Sequence, residues 1–537
     1  WKVNCSVTCG NEFIRYDYPA YAAEPVDGTS YPAACGTAGL PTGALVVDDV
    51  PTDVPAPSVP AGCAKPAAAG VFDMQFATDS AGLEASKIDL HQIGGGFGGH
   101  FYWGHSRLSY AEGGKLAITG TWTFSAAQNR WGRLLVHLPD HHAHTQQAAY
   151  KIDTGTGTFS QTRYINQKRR ANNWVSIGVY QFTGAPRVQL STETDDGTGD
   201  DDVAYDAVAF QPLAGKPKHV VAVLGDSYTS GEGAGNYFTE SNIAHGTSGW
   251  NACRRSKDAW GRRIVLPGTT EALGTKADRW DADVELGFVA CSGARTYNVW
   301  NDSFAGSEQA FREGQFNEQK QVRSGVLTAD TTLVMLTVGG NDGAAFSLAM
   351  MDCGNITNCA NDANFLPKYK ALADTMIGNA ETVLRDIAAK APNAQIVLMG
   401  YPELLSRTVK CTGSWYYDMT EVAALATLVG YVNGKERTMA DTLRAGGIRA
   451  EFADPVSAFV GHGGCDTPEW INKIVIGPNG DGDFHASDPV AQACLWEWLG
   501  GACLSRESFH PKSAGTGSPG YAGVMRERLD QIGYKGS

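Results

Sequence analysis

The chain has 537 residues, enough for roughly two to four domains with separate hydrophobic cores. Its 43 Lys and Arg against 57 Asp and Glu give a net charge of −14, and it has no basic run, which excludes nucleic acid as the expected partner because phosphate binding needs clustered positive charge. No stretch approaches about 18 consecutive apolar residues, so we expect no transmembrane segment.

The cysteines indicate an oxidising environment. There are 12 of them, an even number, and none forms the paired CxxC clusters typical of zinc sites. Together with the 64 glycines this favours a disulfide-containing, secreted protein. The sequence opens at Trp1 without Met or an apolar leader, and we interpret this as a signal peptide already removed.

Residues 1–84 are rich in Pro, Ala and Gly and carry four cysteines. The run VPTDVPAP at 50–57 is typical of extended chain rather than of a packed element. We predict a disulfide-containing N-terminal extension, with three connectivities open for Cys5, Cys9, Cys35 and Cys63.

Residues 85–213 contain short alternating segments separated by turn residues, for example 115–122, 133–138, 174–180 and 187–191. Strands at about ten-residue spacing with no helical period predict a β-sandwich. The segments WGRLLVHLPDHHAHTQQAAYKI, NNWVSIGVYQFTG and DDVAYDAVAF resemble the golvesin C-terminal-like module, also described as a xanthan-lyase carbohydrate-binding-like domain. The resemblance implies a β-sandwich accessory module and leaves its ligand open, with a glycan surface as the candidate partner.

Two clusters in this module have residue types that bind metals. Four histidines lie on a strand end and its following loop, where nothing in the sequence makes them converge, so we expect solvated side chains and no metal. Five aspartates in a Gly-containing stretch offer the oxygen ligands of calcium, but without full calcium-loop spacing we expect a solvated acidic turn, with calcium left open. The residues are His137, His141, His142 and His144, and Asp195, Asp196, Asp200, Asp201 and Asp202.

After a short linker at 214–218, the pattern changes to apolar strand-like runs separated by helix-length segments. The runs are 220–224, 286–290, 333–338, 396–399 and 450–452. The segment 375–391 places its apolar residues on one helical face, with Asp374 as the expected cap. This alternation predicts a five-stranded parallel sheet covered on both faces, with the functional site at the carboxyl ends of the strands.

Turns that contain Ser, Cys, Asn or Asp follow three of these strands. A fourth block of this kind, with Ser and His, lies near the C-terminus. They read GDSYTSGEG at 225–233, ACSGA at 290–294, VGGND at 338–342 and ESFHP at 507–511. A serine at a strand-to-helix turn presents its hydroxyl at the top of the sheet. The four blocks, in this order, with YPELL at 401–405 and FVGHGGCDTPEWIN at 459–472, resemble the SGNH (GDSL-like) hydrolase family, especially its actinobacterial secreted esterases and lipases. The resemblance covers 219–537 and implies a flavodoxin-like three-layer α/β/α fold.

The resemblance also implies residue roles. Ser227 is the expected nucleophile and His510 the general base, with the Ser227 and Gly293 N–H groups and the Asn341 side-chain amide as the oxyanion hole. Ester hydrolysis through an acyl-enzyme needs a hydroxyl, a base near neutrality and such donors. We expect no metal and no organic cofactor.

The block at 507–511 departs from the family pattern in one residue. The family usually has Asp three residues before the histidine, and this chain has Glu507. Glu can orient an imidazole as Asp does, so Glu507 is the expected third catalytic residue. A backbone carbonyl near Ser508, which some relatives use, stays open as the alternative.

Cysteine pairing follows from the same resemblance. Cys253 and Cys291 match a pair that bridges in the resembling enzymes, which would hold the neighbouring Gly293 in place. Cys411–Cys465 is the next expected pair, and Cys353–Cys359 and Cys494–Cys503 would close short loops. An insertion at 473–506, with Trp496 and Trp498, is expected to border the cleft, where its tryptophans either bind sugar or acyl groups or simply pack.

We therefore predict a secreted serine hydrolase of carboxylic esters. Lipids, polyesters and O-acylated polysaccharides remain open as substrates, and the β-sandwich favours a polymer by analogy. Two other functional classes remain as alternatives. One is a carbohydrate- or surface-binding protein with a decayed hydrolase domain. The other is a glycan-active enzyme that uses carboxylates such as Asp342 and Glu507.

Overall fold

A computed structural model describes residues 2–4, 13–15, 39–49, 68–91, 95–108, 114–195, 197, 199, 201–245, 249–300, 315–354, 358–411, 417–485 and 503–536. The chain divides into two compact units, Trp1–Pro217 with Asn317–Gln319, and Lys218–Phe316 with Lys320–Ser537. Within the described ranges, no helix is long and apolar enough to span a bilayer. Several residues named above lie outside the described residues: Cys5, Cys9, Cys35, Cys63, Asp196, Asp200, Cys494, Trp496 and Trp498.

Among the described residues of the first unit, the regular elements are almost all β-strands. They are β1 (Lys2–Asn4), β2 (Phe13–Arg15), β3 (Leu45–Val47), β4 (Gly70–Phe76), β5 (Asp89–His91), β6 (Phe101–His105), β7 (Arg107–Leu108), β8 (Ile118–Phe124), β9 (Trp131–Leu138), β10 (Ala148–Asp153), β11 (Gln161–Ile165), β12 (Asn173–Gln181), β13 (Arg187–Ser191), β14 (Glu193–Thr194), β15 (Asp202–Tyr205) and β16 (Val208–Pro212), with one short helix, α1 (Gly114–Leu116).

Two antiparallel sheets form the body of this unit, in the orders β11-β10-β13-β8-β4 and β12-β9-β16-β3. Strand β8 alternates buried and half-buried residues, as a strand with one face on a core must. Its inward residues, among them Trp122 and Phe124, pack with Leu134 and Val136 of β9 and Phe210 of β16. The predicted β-sandwich is confirmed.

The histidine cluster differs from its prediction. His105, His142 and His144 all place Nδ1 against Asp202, at 2.9, 2.9 and 3.2 Å, and His137 is buried with Nδ1 2.7 Å from Asp206. Burial opposes ionisation of Asp202, but hydrogen bonds from the imidazoles outweigh it and lower the pKa of its carboxyl. The local sequence could not predict that these histidines converge. Their convergence depends on the pairing of β15 with β6, which places Asp202 opposite His105.

The second unit alternates strands and helices. Its strands are β17 (His219–Gly225), β18 (Val284–Phe288), β19 (Leu333–Thr337), β20 (Gln395–Met399), β21 (Ala450–Ala453), β22 (Ile476–Gly477) and β23 (Cys503–Leu504). Its helices are α2 (Ser227–Ser230), α3 (Trp260–Arg263), α4 (Leu273–Asp278), α5 (Thr296–Val299), α6 (Ala345–Gly354), α7 (Phe365–Lys390), α8 (Met419–Ala445), α9 (Ser513–Thr516) and α10 (Tyr521–Gln531).

Five of these strands form a parallel sheet in the order β18-β17-β19-β20-β21. Successive residues point to opposite faces, so Val221 and Val223 join one hydrophobic cluster while Ala222 and Leu224 join another. Apolar cores on both faces confirm the predicted three-layer α/β fold. The strand order reverses at β17, which places the binding crevice beyond the carboxyl end of this strand.

One predicted helix begins earlier than its sequence pattern suggested. Helix α7 starts at Phe365, after Asn364, and runs through Asp374, the expected cap. Asp374 lies inside the helix, where its carboxylate accepts a hydrogen bond from Tyr431 at 2.9 Å and pairs with Lys435 of α8 at 2.9 Å. Contact with α8 thus accounts for a residue that the sequence alone indicated as a cap.

Candidate active site

Ser227 lies at the tight turn between β17 and α2. Gly225 has φ +118°, and a Cβ there would come within 2.1 Å of the Thr337 carbonyl oxygen, so only glycine fits. The buried Asp226 caps α2 by accepting a hydrogen bond from the Tyr228 N–H at 3.0 Å. Strand end, glycine and cap together fix Ser227 as the first residue of the helix.

His510 is within hydrogen-bonding distance of Ser227, although 283 residues separate them. Its Nε2 is 2.7 Å from Ser227 Oγ, and its Nδ1 is 2.9 Å from the Ser508 carbonyl oxygen. Because a carbonyl only accepts, Nδ1 carries the proton in the neutral imidazole, and Nε2 is left to accept the Ser227 hydroxyl proton. This is the arrangement of a nucleophile with its base.

The loop that carries His510 is held by main-chain contacts. The Asn472 N–H donates to the His510 carbonyl at 2.8 Å, and the Phe509 N–H donates to the Asn472 carbonyl at 3.0 Å. Tyr228, in α2, donates its hydroxyl to the Phe509 carbonyl at 2.7 Å, and its ring centre lies 5.0 Å from that of the imidazole. The helix that begins with Ser227 therefore also positions His510.

Burial changes the pKa of His510. Desolvation lowers the pKa of the imidazole, whereas the charge of Glu232 and the Ser508 carbonyl act in the opposite direction without overcoming it. The imidazole is thus neutral around pH 7, the form that accepts a proton. Sequence analysis did not single out Glu232, although it lies within the GDSYTSGEG block.

Glu507, the expected third catalytic residue, contacts Tyr237, Arg254 and Asn479. Its Oε1 accepts hydrogen bonds from the Tyr237 hydroxyl at 2.9 Å and from Arg254 Nη2 at 3.0 Å, and Oε2 accepts one from Asn479. Arg254 is fully buried and also donates Nε to Glu232 at 2.7 Å. A buried guanidinium needs anionic partners, and this need, rather than the imidazole, accounts for where Glu507 points. The alternative, the carbonyl of Ser508, occupies Nδ1.

The segments that carry Gly293 and Asn341 are hydrogen-bonded to each other, and the Gly293 segment is also hydrogen-bonded to the turn that carries Ser227. The Cys291 N–H donates to the Gly225 carbonyl at 3.0 Å, and Asn341 donates its side-chain amide to the Ala294 carbonyl at 3.1 Å. One N–H of the Asn341 amide suffices for that bond, so the amide has a second proton to offer.

Disulfides brace several loops of this unit. Cys253 is joined to Cys291, two residues before Gly293, and the Ser292 N–H donates to the Cys253 carbonyl at 2.9 Å. Cys411 is joined to Cys465, and Cys353 to Cys359. These are three of the pairs named in the sequence analysis.

Asp342 is part of the scaffold. Its carboxylate accepts hydrogen bonds from the Thr296 N–H at 2.8 Å and the Thr296 hydroxyl at 2.6 Å, and from the Asn379 amide at 3.0 Å. With Glu507 held by Arg254, both carboxylates considered for a glycan-cleaving reaction are engaged in structural contacts.

An apolar pocket opens next to Asn341. Its lining includes Gly340, Phe346, Tyr401, Leu428 and Val429. The Phe346 ring centre is 6.4 Å from that of His510, so a wall of the pocket borders the serine–histidine pair. Tyr401 anchors its wall, because its hydroxyl donates to Asp226 at 2.6 Å and accepts from the Gly340 N–H at 3.2 Å.

Comparison with known proteins identifies relatives of both parts of the chain. Residues 100–212 match the golvesin C-terminal domain family. Lipase 1 of Streptomyces coelicolor is 28% identical over 324 residues, which is 60% of this chain and 90% of that protein. A lipase of Streptomyces rimosus is 28% identical over 258 residues, 47% of this chain and 76% of that protein.

Solved structures with likeness to the chain include an extracellular lipase from Streptomyces rimosus and phospholipase A1 from Streptomyces albidoflavus NA297. They are 24% and 26% identical, cover 57% of this chain and 98% of their own, and have TM-scores of 0.39 and 0.38. The sequence relatives, taken with the serine–histidine pair at the end of β17, confirm the predicted enzyme class. The chain thus combines a domain that matches the golvesin C-terminal family with a hydrolase of carboxylic esters that is similar to Streptomyces lipases.

Proposed function

We propose that Ser227 is the nucleophile of a two-step ester hydrolysis and that His510 is its general acid–base. The 2.7 Å contact between Ser227 Oγ and His510 Nε2 carries this proposal. Oγ attacks the ester carbonyl carbon while Nε2 takes the hydroxyl proton. The imidazolium then protonates the leaving alcohol, which leaves an acyl-enzyme. Water, deprotonated by His510, attacks the acyl carbon, and the proton returns to Ser227 as the acid leaves.

The Ser508 carbonyl orients the His510 imidazole, which is the role of the carboxylate in a catalytic triad. Its contact with Nδ1 keeps the imidazole in the tautomer whose Nε2 faces Ser227. The charge of Glu232 favours the imidazolium that forms during attack, as its upward effect on the pKa of His510 indicates. A dyad supported by a carbonyl and by a remote carboxylate thus accounts for acid–base catalysis without Glu507.

The oxyanion hole in this proposal consists of the Ser227 N–H, the Gly293 N–H and the Asn341 amide. Ser227 is the first residue of α2, where backbone N–H groups lack partners within the helix. Asn341 is tied to the Gly293 segment through Ala294. Donors fixed in this way stabilise the tetrahedral oxyanion, each by about 3 kcal/mol.

The preferred substrates are esters with an apolar acyl chain. The pocket beside Asn341 is lined almost entirely by apolar side chains, so an acyl chain longer than acetyl gains binding energy there, about 0.8 kcal/mol for each buried CH₂. The names of the Streptomyces relatives, which are lipases, support the same substrate class. The golvesin-like domain is then an attachment module with a glycan surface as its partner, and the disulfides support action outside the cell.

Hydrolysis of p-nitrophenyl esters from acetyl to palmitoyl tests the proposal. We expect the wild type to prefer chains longer than acetyl and Ser227→Ala to lose activity by a factor of about 10⁴ or more. Ser347→Ala removes an exposed serine of α6 that does not line the pocket and is expected to keep wild-type activity. If Ser227→Ala, checked for native folding, retains a tenth of the activity, another nucleophile must be sought.

A further inference from the structure

A buried cluster of charged residues lies in the first unit. Asp48 and Asp49 follow β3 directly, and His100 directly precedes β6. Their exposed fractions are 4%, 0% and 1%, so all three are withdrawn from solvent. One side-chain ligand atom from each residue lies within 4.8 Å of those of the other two. Of the residues that the structure describes, no other set of three or more His, Cys, Asp or Glu meets this condition.

The two nitrogens of His100 face different carboxylates. Nδ1 is 2.9 Å from Asp49 Oδ1, a hydrogen-bonding distance, whereas Nε2 is 3.6 Å from Asp48 Oδ2, too far for a hydrogen bond. Two atoms bound at about 2.1 Å to one tetrahedral ion are about 3.4 Å apart. The separation between Asp48 Oδ2 and His100 Nε2 therefore suits two ligands of one metal better than a direct pair.

Asp48 Oδ2 is a buried oxygen directed at this space. The other oxygen, Oδ1, accepts a hydrogen bond from the Asp49 N–H at 3.0 Å, but Oδ2 accepts none from the described residues. A buried carboxylate oxygen without a donor is costly, and a bound cation removes this cost.

The charges around the cluster favour a cation. Asp206 acts electrostatically on Asp48, and its carboxylate accepts hydrogen bonds from the Phe97 N–H at 3.0 and 3.2 Å. Three carboxylates crowd this region, and a divalent cation offsets two negative charges where a proton offsets one.

We propose that Asp48 and His100 bind a divalent transition metal, best matched by Zn²⁺, and that Asp49, whose Oδ1 lies 2.9 Å from His100 Nδ1, is the outer carboxylate that holds the imidazole in place. Such a carboxylate–histidine–metal arrangement fixes the tautomer of the ligand. An imidazole ligand disfavours Ca²⁺ and Mg²⁺, which take oxygen ligands. The site is structural: it fastens the end of the edge strand β3 to the start of β6 and lies in a different unit from Ser227.

Metal analysis of the full chain tests the site. The protein is stripped with EDTA, incubated with Zn²⁺ in slight excess, dialysed, and analysed by plasma mass spectrometry and thermal melting. We expect one Zn²⁺ per chain and a higher Tm after loading. We expect Asp48→Asn, nearly the same in shape, to bind Zn²⁺ at least 100-fold more weakly and to melt at the same temperature with and without the ion. Asp49→Asn is expected to weaken binding about 10- to 100-fold, as loss of an outer partner does.

The histidines around Asp202 provide the matched control. Asp202→Asn removes an equally central carboxylate from a neighbouring group of imidazoles in the same unit, and is expected to keep the bound Zn²⁺. Loss of the ion from this variant, or full retention in Asp48→Asn, overturns the proposal. Should Asp48→Asn not fold, X-ray absorption of the loaded wild type decides: a single imidazole with oxygen neighbours supports the site, and several imidazoles, or no stoichiometric zinc, contradict it.

Discussion

The imidazole of His510 is oriented by the main-chain carbonyl of Ser508, 2.9 Å from Nδ1, and not by Glu507 three residues before it. The side chain of Glu507 is instead a partner of the buried Arg254. A main-chain oxygen can orient an imidazole but carries no full charge, so whatever charge stabilises the imidazolium must come from elsewhere. Glu232 has the largest such effect among the residues acting on His510.

The Glu507→Gln variant tests whether Glu507 acts on His510 or only pairs with Arg254. We expect kcat to stay within about tenfold of wild type, because the carboxylate does not contact His510, and we expect Tm to fall, because Arg254 loses one of its anionic partners. Ester hydrolysis and thermal melting measured on the same preparation test both expectations. A triad acid would give a different result, since removal of its charge costs about 10⁴ in kcat.

The Glu232→Gln variant is expected to shift the pH profile. Glu232 raises the pKa of His510, so neutralising it lowers that pKa further. The acidic limb of kcat/KM then moves to lower pH, because the neutral base persists there, while the plateau kcat falls about tenfold, since the imidazolium formed during attack is less stabilised. Glu507→Gln is the control, since it also removes a negative partner of Arg254. A shift of equal size in both variants would assign the effect to Arg254 instead.

The parallel sheet was predictable because its three central strands are apolar runs buried on both faces, as Val220–Leu224 illustrates. The sequence indicated Ser227 and His510 because both lie in the short blocks that carry the resemblance to SGNH hydrolases, and the structure brings the two side chains within hydrogen-bonding distance.

Partners set by distant packing could not be predicted. Nothing near Arg254 in sequence reveals that it is buried between Glu232 and Glu507. Likewise, Asp202 meets His105 only because β15 pairs with β6 in one register. The sequence indicated Glu507 as the partner of His510 because it lies three positions before it. In the structure the Glu507 side chain contacts the buried Arg254 instead.

Replacing Asn341 by Ala tests the oxyanion hole. We expect kcat to fall about 10²- to 10³-fold with little change in KM, because the donor acts on charge that develops only in the transition state. The amide also bonds the Ala294 carbonyl, so a Tm measurement must accompany the kinetics. A rise in KM with unchanged kcat would mean that Asn341 binds the ground state and would remove it from the hole.

Filling the apolar pocket is expected to change chain-length preference without harming the chemistry. Val429 lines the pocket from a half-buried position on α8, so tryptophan there projects into the acyl space with little strain on the core. For Val429→Trp we expect kcat/KM for palmitoyl esters to fall at least tenfold and that for acetyl esters to stay within about twofold, since about two buried CH₂ groups account for a tenfold change. Thr427→Trp adds the same side chain at an exposed position of the same helix that does not line the pocket, and is expected to behave as wild type. Equal losses on both esters would mean that the pocket wall supports His510 through Phe346 rather than the acyl chain, and an unchanged profile would place the chain elsewhere.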